Sequence, residues 1–293
     1  MGFHLFSREV IGGYLEWLDH RGTSDITIQK YEAELKLILD HFADVGIVEL
    51  GDLTVEVVEV LETWMVDKGL QARSRAKTLS VFKSFTKYLK QTSQILFNIG
   101  LKVTMPRVQR LHREIPSREE IKMVLDVPDK TTERGLRDSL VLALLYWTGM
   151  RANELANAFT SNLNLRERRI KIFGKGNHQR ILYYPVSVAI DLKKYLKGRD
   201  NFTLFNLTSN QISQIATSAF AKTGLPYSGA HILRYSIATH MFERGINVRL
   251  IQTMLGHRDL KSTYEYILPR VDYLREVHFR HHPFERGFFD NEK

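Results

Sequence analysis

The chain has no cysteine among its 293 residues, which excludes disulfides, thiolate catalysis and cysteine-ligated zinc together. Nor does it contain a run of about eighteen apolar residues, the length that crosses a bilayer. Its start, MGFHLFSREVIGG, lacks the basic cluster and long apolar stretch of a secretory signal. No convincing carboxylate cluster suggests a metal site, and neither a metal nor a cofactor is expected. These absences lead us to expect a soluble, cytoplasmic protein whose partner is not a membrane. What is present is basic charge: a formal net charge of +9 and a pI of about 9.6, which favour a polyanion as partner. The hydrophobic share of 43% allows a proper core, and the length allows two domains.

Charge is unevenly spread. Residues 1–67 hold four Lys/Arg against fourteen Asp/Glu, whereas residues 68–113 hold eleven Lys/Arg and no acid. Within that basic stretch, Arg73, Arg75, Lys77, Lys83, Lys87 and Lys90 lie on a segment of helical pattern. An exposed helix kept for solubility mixes signs, while neutralising a row of phosphates needs one sign. These six residues are therefore the candidate DNA-binding set.

The first hundred residues read as four helices joined by short turns. TIQKYEAELKLILDHF puts Ile28, Tyr31, Leu35, Ile38 and Leu39 on one face, with Ser24 and Asp25 as candidate caps. LKVTMPRVQRLHREIPS has two prolines and no helical stripe, so it reads as an extended linker. The expected division is a helical domain over 1–106, a linker over 107–116 and a second domain over 117–293. In the second domain, SREEIKMVLD predicts a helix capped by Ser117 and Glu120. LRDSLVLALLYWTG predicts an apolar helix stopped by Gly149, and RRIKIF-GKGN-HQRILYYPV predicts a β-hairpin. From Ser187 onward the pattern is again helical. The fold class expected is mainly α with a small β-hairpin.

Five places carry chemistry. TGMRANEL holds Arg151 and, one helical turn on, Glu154. GKGNHQR presents Lys175 on the hairpin turn. AHILRYSIATH sets His231 and Arg234 three apart, on one helix face. LGHRD sets His257 after a glycine at an expected helix start, and STYEY follows with Tyr264 and Tyr266. Singly, each has an ordinary explanation: a surface ion pair, a solvated lysine, a structural histidine, a packed tyrosine. Together they suit attack by a tyrosine on a phosphodiester. The phenol, with a reference pKa of about 10, must lose a proton at a cost of roughly 4 kcal/mol at pH 7. Two arginines can hold the phosphate oxygens bidentately, a histidine can move protons, and a lysine can protonate the leaving oxygen. Residues two apart on a helix point about 200° away from each other, so only one of the two tyrosines can face such a site.

In order and spacing these segments resemble the tyrosine recombinase (phage-integrase) family. TGMRANEL is similar to its TGLR-x-x-EL box and GKGNHQR to its GKG-x-K-x-R hairpin. HILRYSIATH is similar to its H-x-LRH-x-x-AT box, and LGHRDLKSTYEY to its LGH-x-x-x-x-TT-x-x-Y box. The N-terminal helices resemble the family's core-binding (SAM-like) domain, and the tail LREVHFRHHP resembles endings of the Xer branch. The resemblance implies a two-domain clamp around double-stranded DNA with a DNA breaking-rejoining catalytic fold. Arg151 and Arg234 would clamp the scissile phosphate, Lys175 would protonate the 5′-oxygen, and His231 would assist proton transfer. His257 would hydrogen-bond the phosphate and Glu154 would brace the site. The nucleophile, nine residues after His257, would be Tyr266, with Tyr264 left to packing.

The resemblance further implies a metal- and ATP-independent enzyme that forms a 3′-phosphotyrosyl link. It would act as a homo-tetramer, or a hetero-tetramer with a paralogue, on two recombination sites of nucleoid DNA. A DNA translocase as activator is left open. The Xer branch resolves chromosome or plasmid dimers, a role in chromosome partition and cell division. A mobile-element integrase or excisionase, a type IB topoisomerase-like enzyme and a non-catalytic DNA-binding accessory protein are the alternatives. Tyr235 stands where the family usually has a second histidine, and Ser262-Thr263 replaces Thr-Thr. The histidines His278, His281 and His282 are expected to be solvated rather than metal-bound, and the tail around them to dock on a neighbouring subunit.

Overall fold

The computed structural model describes residues 7–107, 114–173, 179–199, 202–256, 260–264, 267 and 271–281. The chain divides into two compact units, Met1–Leu111 and His112–Lys293.

The first unit is built from α1 (Arg8–His20), α2 (Asp25–Asp44), α3 (Val57–Asp67) and α4 (Ala72–Gln91), with a short 3-10 turn at Ile99–Lys102. Each helix contributes one apolar stripe to a shared core that includes Tyr14, Leu35, Phe42, Leu61, Phe82 and Phe85. Helix α4 divides cleanly by face. Leu79, Val81, Phe82, Phe85, Tyr88 and Leu89 are buried, while Arg73, Lys77, Lys87 and Lys90 are exposed and Arg75 and Lys83 half-buried. At 100° per residue, all the candidate DNA-binding residues except Arg75 fall within an arc of about 140°. The basic segment is nevertheless not free of acid partners. Lys77 pairs with Glu34 of α2, which also accepts from the Thr78 hydroxyl, and Lys83 donates to the Val103 carbonyl at 3.3 Å. Ser24 caps α2 by position only, since its hydroxyl pairs with that of Thr27.

The second unit is organised around α6 (Glu133–Thr148), whose Leu140, Val141, Leu142, Leu144 and Leu145 are all buried. Before it comes α5 (Arg118–Leu125), closed by the expected reciprocal bonds between Ser117 and Glu120. After it come α7 (Ala152–Ala156) and a three-stranded antiparallel sheet in the order β1 (Leu163–Asn164), β2 (Arg169–Phe173), β3 (Gln179–Tyr183). The hairpin is β2–β3, with Ile170 opposite Leu182 and Ile172 opposite Arg180. Ile170, Ile172 and Leu182 point into the core and their neighbours outward. Strand β1 was not expected. It is two residues long and exists through its pairing with β2.

Helices α8 (Val186–Leu196), α9 (Ser209–Thr223), α10 (Ala230–Glu243), α11 (Val248–Leu255), α12 (Leu260–Tyr264) and α13 (Val271–His281) complete the unit. Helix α10 is buried through Ile232, Leu233, Arg234, Ser236, Ile237, Ala238, Thr239 and His240, so it carries no amphipathic stripe. Gly256 ends α11 in the left-handed conformation (φ +66°); the glycine expected to open a helix closes one, and α12 begins at Leu260. Tyr264, expected to pack, is 60% exposed, whereas Thr263 beside it is fully buried. Ile115 and Pro116, at the end of the proline-containing stretch, are buried in this second unit.

Candidate active site

Of the helices of the second unit that end on left-handed glycines, α6 at Gly149 (φ +63°) and α11 at Gly256 (φ +66°) meet at the site. A helix C-terminus leaves carbonyls unsatisfied and carries partial negative charge. Here both ends are met by arginines. Arg234, 1% exposed, donates through one guanidinium nitrogen to the Gly149 carbonyl and through the other to the Leu255 carbonyl at 2.7 Å. Arg180 donates through Nε to the Met254 carbonyl at 3.2 Å. A Cβ at Gly149 would lie 2.6 Å from Leu255 Cδ2, so the two helix ends approach more closely there than any other residue permits.

Glu154 lies between these ends. Past Gly149 the chain turns into α7, and Glu154 reaches back to accept from the Arg151 backbone N–H at 2.7 Å and its guanidinium at 3.1 Å. The same carboxylate takes both terminal nitrogens of Arg180, at 3.0 and 2.7 Å, in the parallel two-bond geometry guanidinium favours. Arg234 stands 4.0 Å away. Burial works to raise the Glu154 pKa, but the hydrogen bonds and charge of Arg180, with help from Arg151 and Arg234, hold it below the usual carboxylate range. The Arg151–Glu154 pair, which taken alone would pass for a surface ion pair, is thus the edge of a buried cluster.

Three guanidiniums around one carboxylate leave a net charge of about +2 in a largely dehydrated place, an arrangement suited to a phosphate. Arg151 opens the cluster outward, its side chain 38% exposed. One helical turn before Arg234, His231 is exposed on α10, its ring 6.3 Å from that of Tyr235. The structure therefore brings Arg151, Glu154 and Arg234 together and sets His231 on the same helix as Arg234. Lys175, His257 and Tyr266 lie outside the described residues. Close to Tyr266 in sequence, the Ile267 N–H donates to the Thr263 carbonyl at 3.1 Å, a helix-type bond, and Ile267 is buried.

Sequence reasoning passed over Arg180, although it stands in the quoted hairpin motif. The signal was the period of two along β3: Arg180 shares the inward face with Leu182, and an inward charge needs a partner. His240 was also passed over. It is buried, with Nδ1 3.0 Å from the Tyr146 hydroxyl and Nε2 2.9 Å from the Pro116 carbonyl. A carbonyl only accepts, so Nε2 carries a proton and donates to Pro116. Of the tail histidines, His278 is exposed on α13, the His281 side chain is not described and His282 lies outside the described residues. Among the described residues no group of three or more His, Cys, Asp or Glu is placed to hold a metal, and no helix is long and apolar enough to cross a membrane.

Residues 117–271 match the phage integrase family and residues 11–93 its N-terminal SAM-like domain. The chain is 29% identical over 285 residues to tyrosine recombinase XerD of Pseudomonas putida, covering 91% of this chain and 94% of that protein. It is likewise 29% identical over 289 residues to tyrosine recombinase XerC of Bacillus pumilus, covering 92% and 95%. In fold it is similar to a lambda integrase dimer bound to a COC′ core site (TM-score 0.72, 18% identity, 90% of this chain and 77% of that one). It also resembles XerA recombinase (TM-score 0.53, 23% identity, 94% and 99%). By family models that span most of its length and by relatives that match it almost end to end, the chain belongs to the phage integrase family and is a tyrosine recombinase of the Xer-like type.

Proposed function

We propose that this chain is a site-specific recombinase that cuts and rejoins double-stranded DNA through a 3′-phosphotyrosyl intermediate on Tyr266. The observation that carries this reading is the cationic cluster in which Arg151, Arg180 and Arg234 surround the single carboxylate of Glu154. In the proposed step the Tyr266 oxygen attacks phosphorus and the bond from phosphorus to the 5′-oxygen breaks. Lys175 delivers a proton to that oxygen. Arg151 and Arg234 stabilise the charge that builds on the non-bridging oxygens, with His257 as a further donor and His231 managing the phenol proton. Glu154 keeps the arginines in place. The phosphotyrosyl bond conserves the energy of the broken linkage, so resealing against a second strand needs no nucleotide. Because arginines supply the electrostatic stabilisation, no metal is needed.

The helical domain over 1–106 contributes the α4 cations, which would lie along the DNA backbone, and the catalytic domain the chemistry; the linker that starts at 107 stops short of Ile115 and Pro116, which are buried in the second unit. Four subunits would assemble on two recombination sites, with the C-terminal tail docking on a neighbour. The near full-length similarity to Xer-named relatives favours resolution of chromosome or plasmid dimers. Strand exchange between two labelled duplexes carrying a candidate site, in EDTA and without nucleotide, tests the reading. Recombinant strands are expected; relaxation of supercoils without exchange would contradict it and indicate a topoisomerase.

A further inference from the structure

Arg180 is the only guanidinium of the cluster that comes from the hairpin. It lies five residues after Lys175, and its side chain, 12% exposed, is the inward-pointing residue of β3 nearest the turn. Across the ladder its partner Ile172 is the corresponding buried residue of β2. Beyond these two, Phe173 and Gln179 are exposed. Ile172 is held by apolar contact, which is non-directional, so among the described residues the side-chain hydrogen bonds that tie the turn-proximal end to the rest of the unit are those of Arg180. That restraint has three bonds on two elements: two to Glu154 of α7 and one to the Met254 carbonyl at the end of α11. The Gly256 backbone closes the space around it, for a Cβ there would lie 3.0–3.2 Å from the guanidinium and Cδ of Arg180.

We infer that Arg180 is a positioning residue that aims the Lys175 hairpin at the leaving 5′-oxygen by bolting β3 to Glu154 and to the end of α11. The inference rests on the proposed role of Lys175. One guanidinium thereby sets three segments in register: the Arg151/Glu154 turn, the lysine hairpin and the glycine turn that precedes His257. Lysine in its place would keep the charge beside Glu154 but lose the planar fork and the third bond. The expected defect is then one of proton delivery rather than of phosphate binding.

A pair of nicked DNA substrates tests this, one natural and one with sulfur replacing the bridging 5′-oxygen at the scissile phosphate. A thiolate leaves without a proton because its conjugate acid ionises at about 8.5. Lys175→Ala is expected to slow cleavage of the oxygen substrate by roughly 10²–10⁴-fold and to recover on sulfur. Arg180→Lys is expected to lose about 10²-fold on oxygen, as for a misplaced catalytic group, and to recover most of it on sulfur. The readout is the sulfur-to-oxygen rate ratio within one preparation, so a partly unfolded fraction cancels. A raised ratio in both variants supports the inference. A raised ratio for Lys175→Ala beside an unchanged ratio for Arg180→Lys overturns it and makes Arg180 a brace of the arginine cluster alone. An unchanged ratio for Lys175→Ala would instead remove Lys175 as the acid.

Discussion

Glu154 is the residue on which the site's electrostatics turn. Its side chain is 8% exposed and three arginines approach it. Glu154→Gln keeps the shape but leaves Arg180 and Arg234 without the charge that compensates them, and breaking one partner of a buried pair costs roughly 3–5 kcal/mol. Urea unfolding at neutral pH is expected to show a loss of that order. The pH dependence has a definite sign. The folded-state pKa lies below the ordinary carboxylate value, so the unfolded chain takes up a proton at a pH where the folded one does not. The contribution is complete above the ordinary carboxylate range and declines as pH falls through the lowered value. The stability gap between wild type and Glu154→Gln should therefore narrow in acid, and a constant gap would contradict the argument. The i,i+3 spacing of Arg151 and Glu154 was legible in the sequence. That Glu154 is buried was not, because burial comes from Arg180, 26 residues on, and from the approach of α10 and α11.

Among the elements, those defined by local bonds were readable beforehand: the Ser117–Glu120 cap, the Gly149 stop and the alternation of β2 and β3. Those defined by distant partners were not. β1 is held by β2, and Lys77 is paired across 43 residues with Glu34. Gly22, just after α1, and Gly149, at the end of α6, are both left-handed and offer a direct comparison at this scale. Gly22→Ala, at φ +71° with nothing within 4 Å of a Cβ, should cost only the backbone penalty of about 1–2 kcal/mol. Gly149→Ala adds a clash with Leu255 and should lower the melting temperature clearly further. Equal shifts would show that the close approach of α6 and α11 is unimportant. On α4, Lys87→Ala and Lys90→Ala remove exposed cations. If each neutralises one phosphate, each should flatten the dependence of log affinity on log salt by about 0.9. Unchanged slopes would take this face away from the DNA.

For the whole molecule the proposal is a ring of subunits on DNA whose tails link neighbours. Deleting residues 282–293 should leave covalent cleavage by individual subunits and remove the synaptic complex seen on native gels; loss of cleavage itself would place the tail in the chemistry. The central claim is narrower and concerns STYEY. Tyr264 is exposed, so it is not disqualified by burial and has to be tested beside Tyr266. The direct measurement is trapping of covalent protein on a nicked suicide substrate by wild type, Tyr266→Phe and Tyr264→Phe. The account predicts that Tyr266→Phe alone abolishes the adduct and that the trapped strand is joined through its 3′-phosphate. An adduct that survives Tyr266→Phe and disappears with Tyr264→Phe would contradict it.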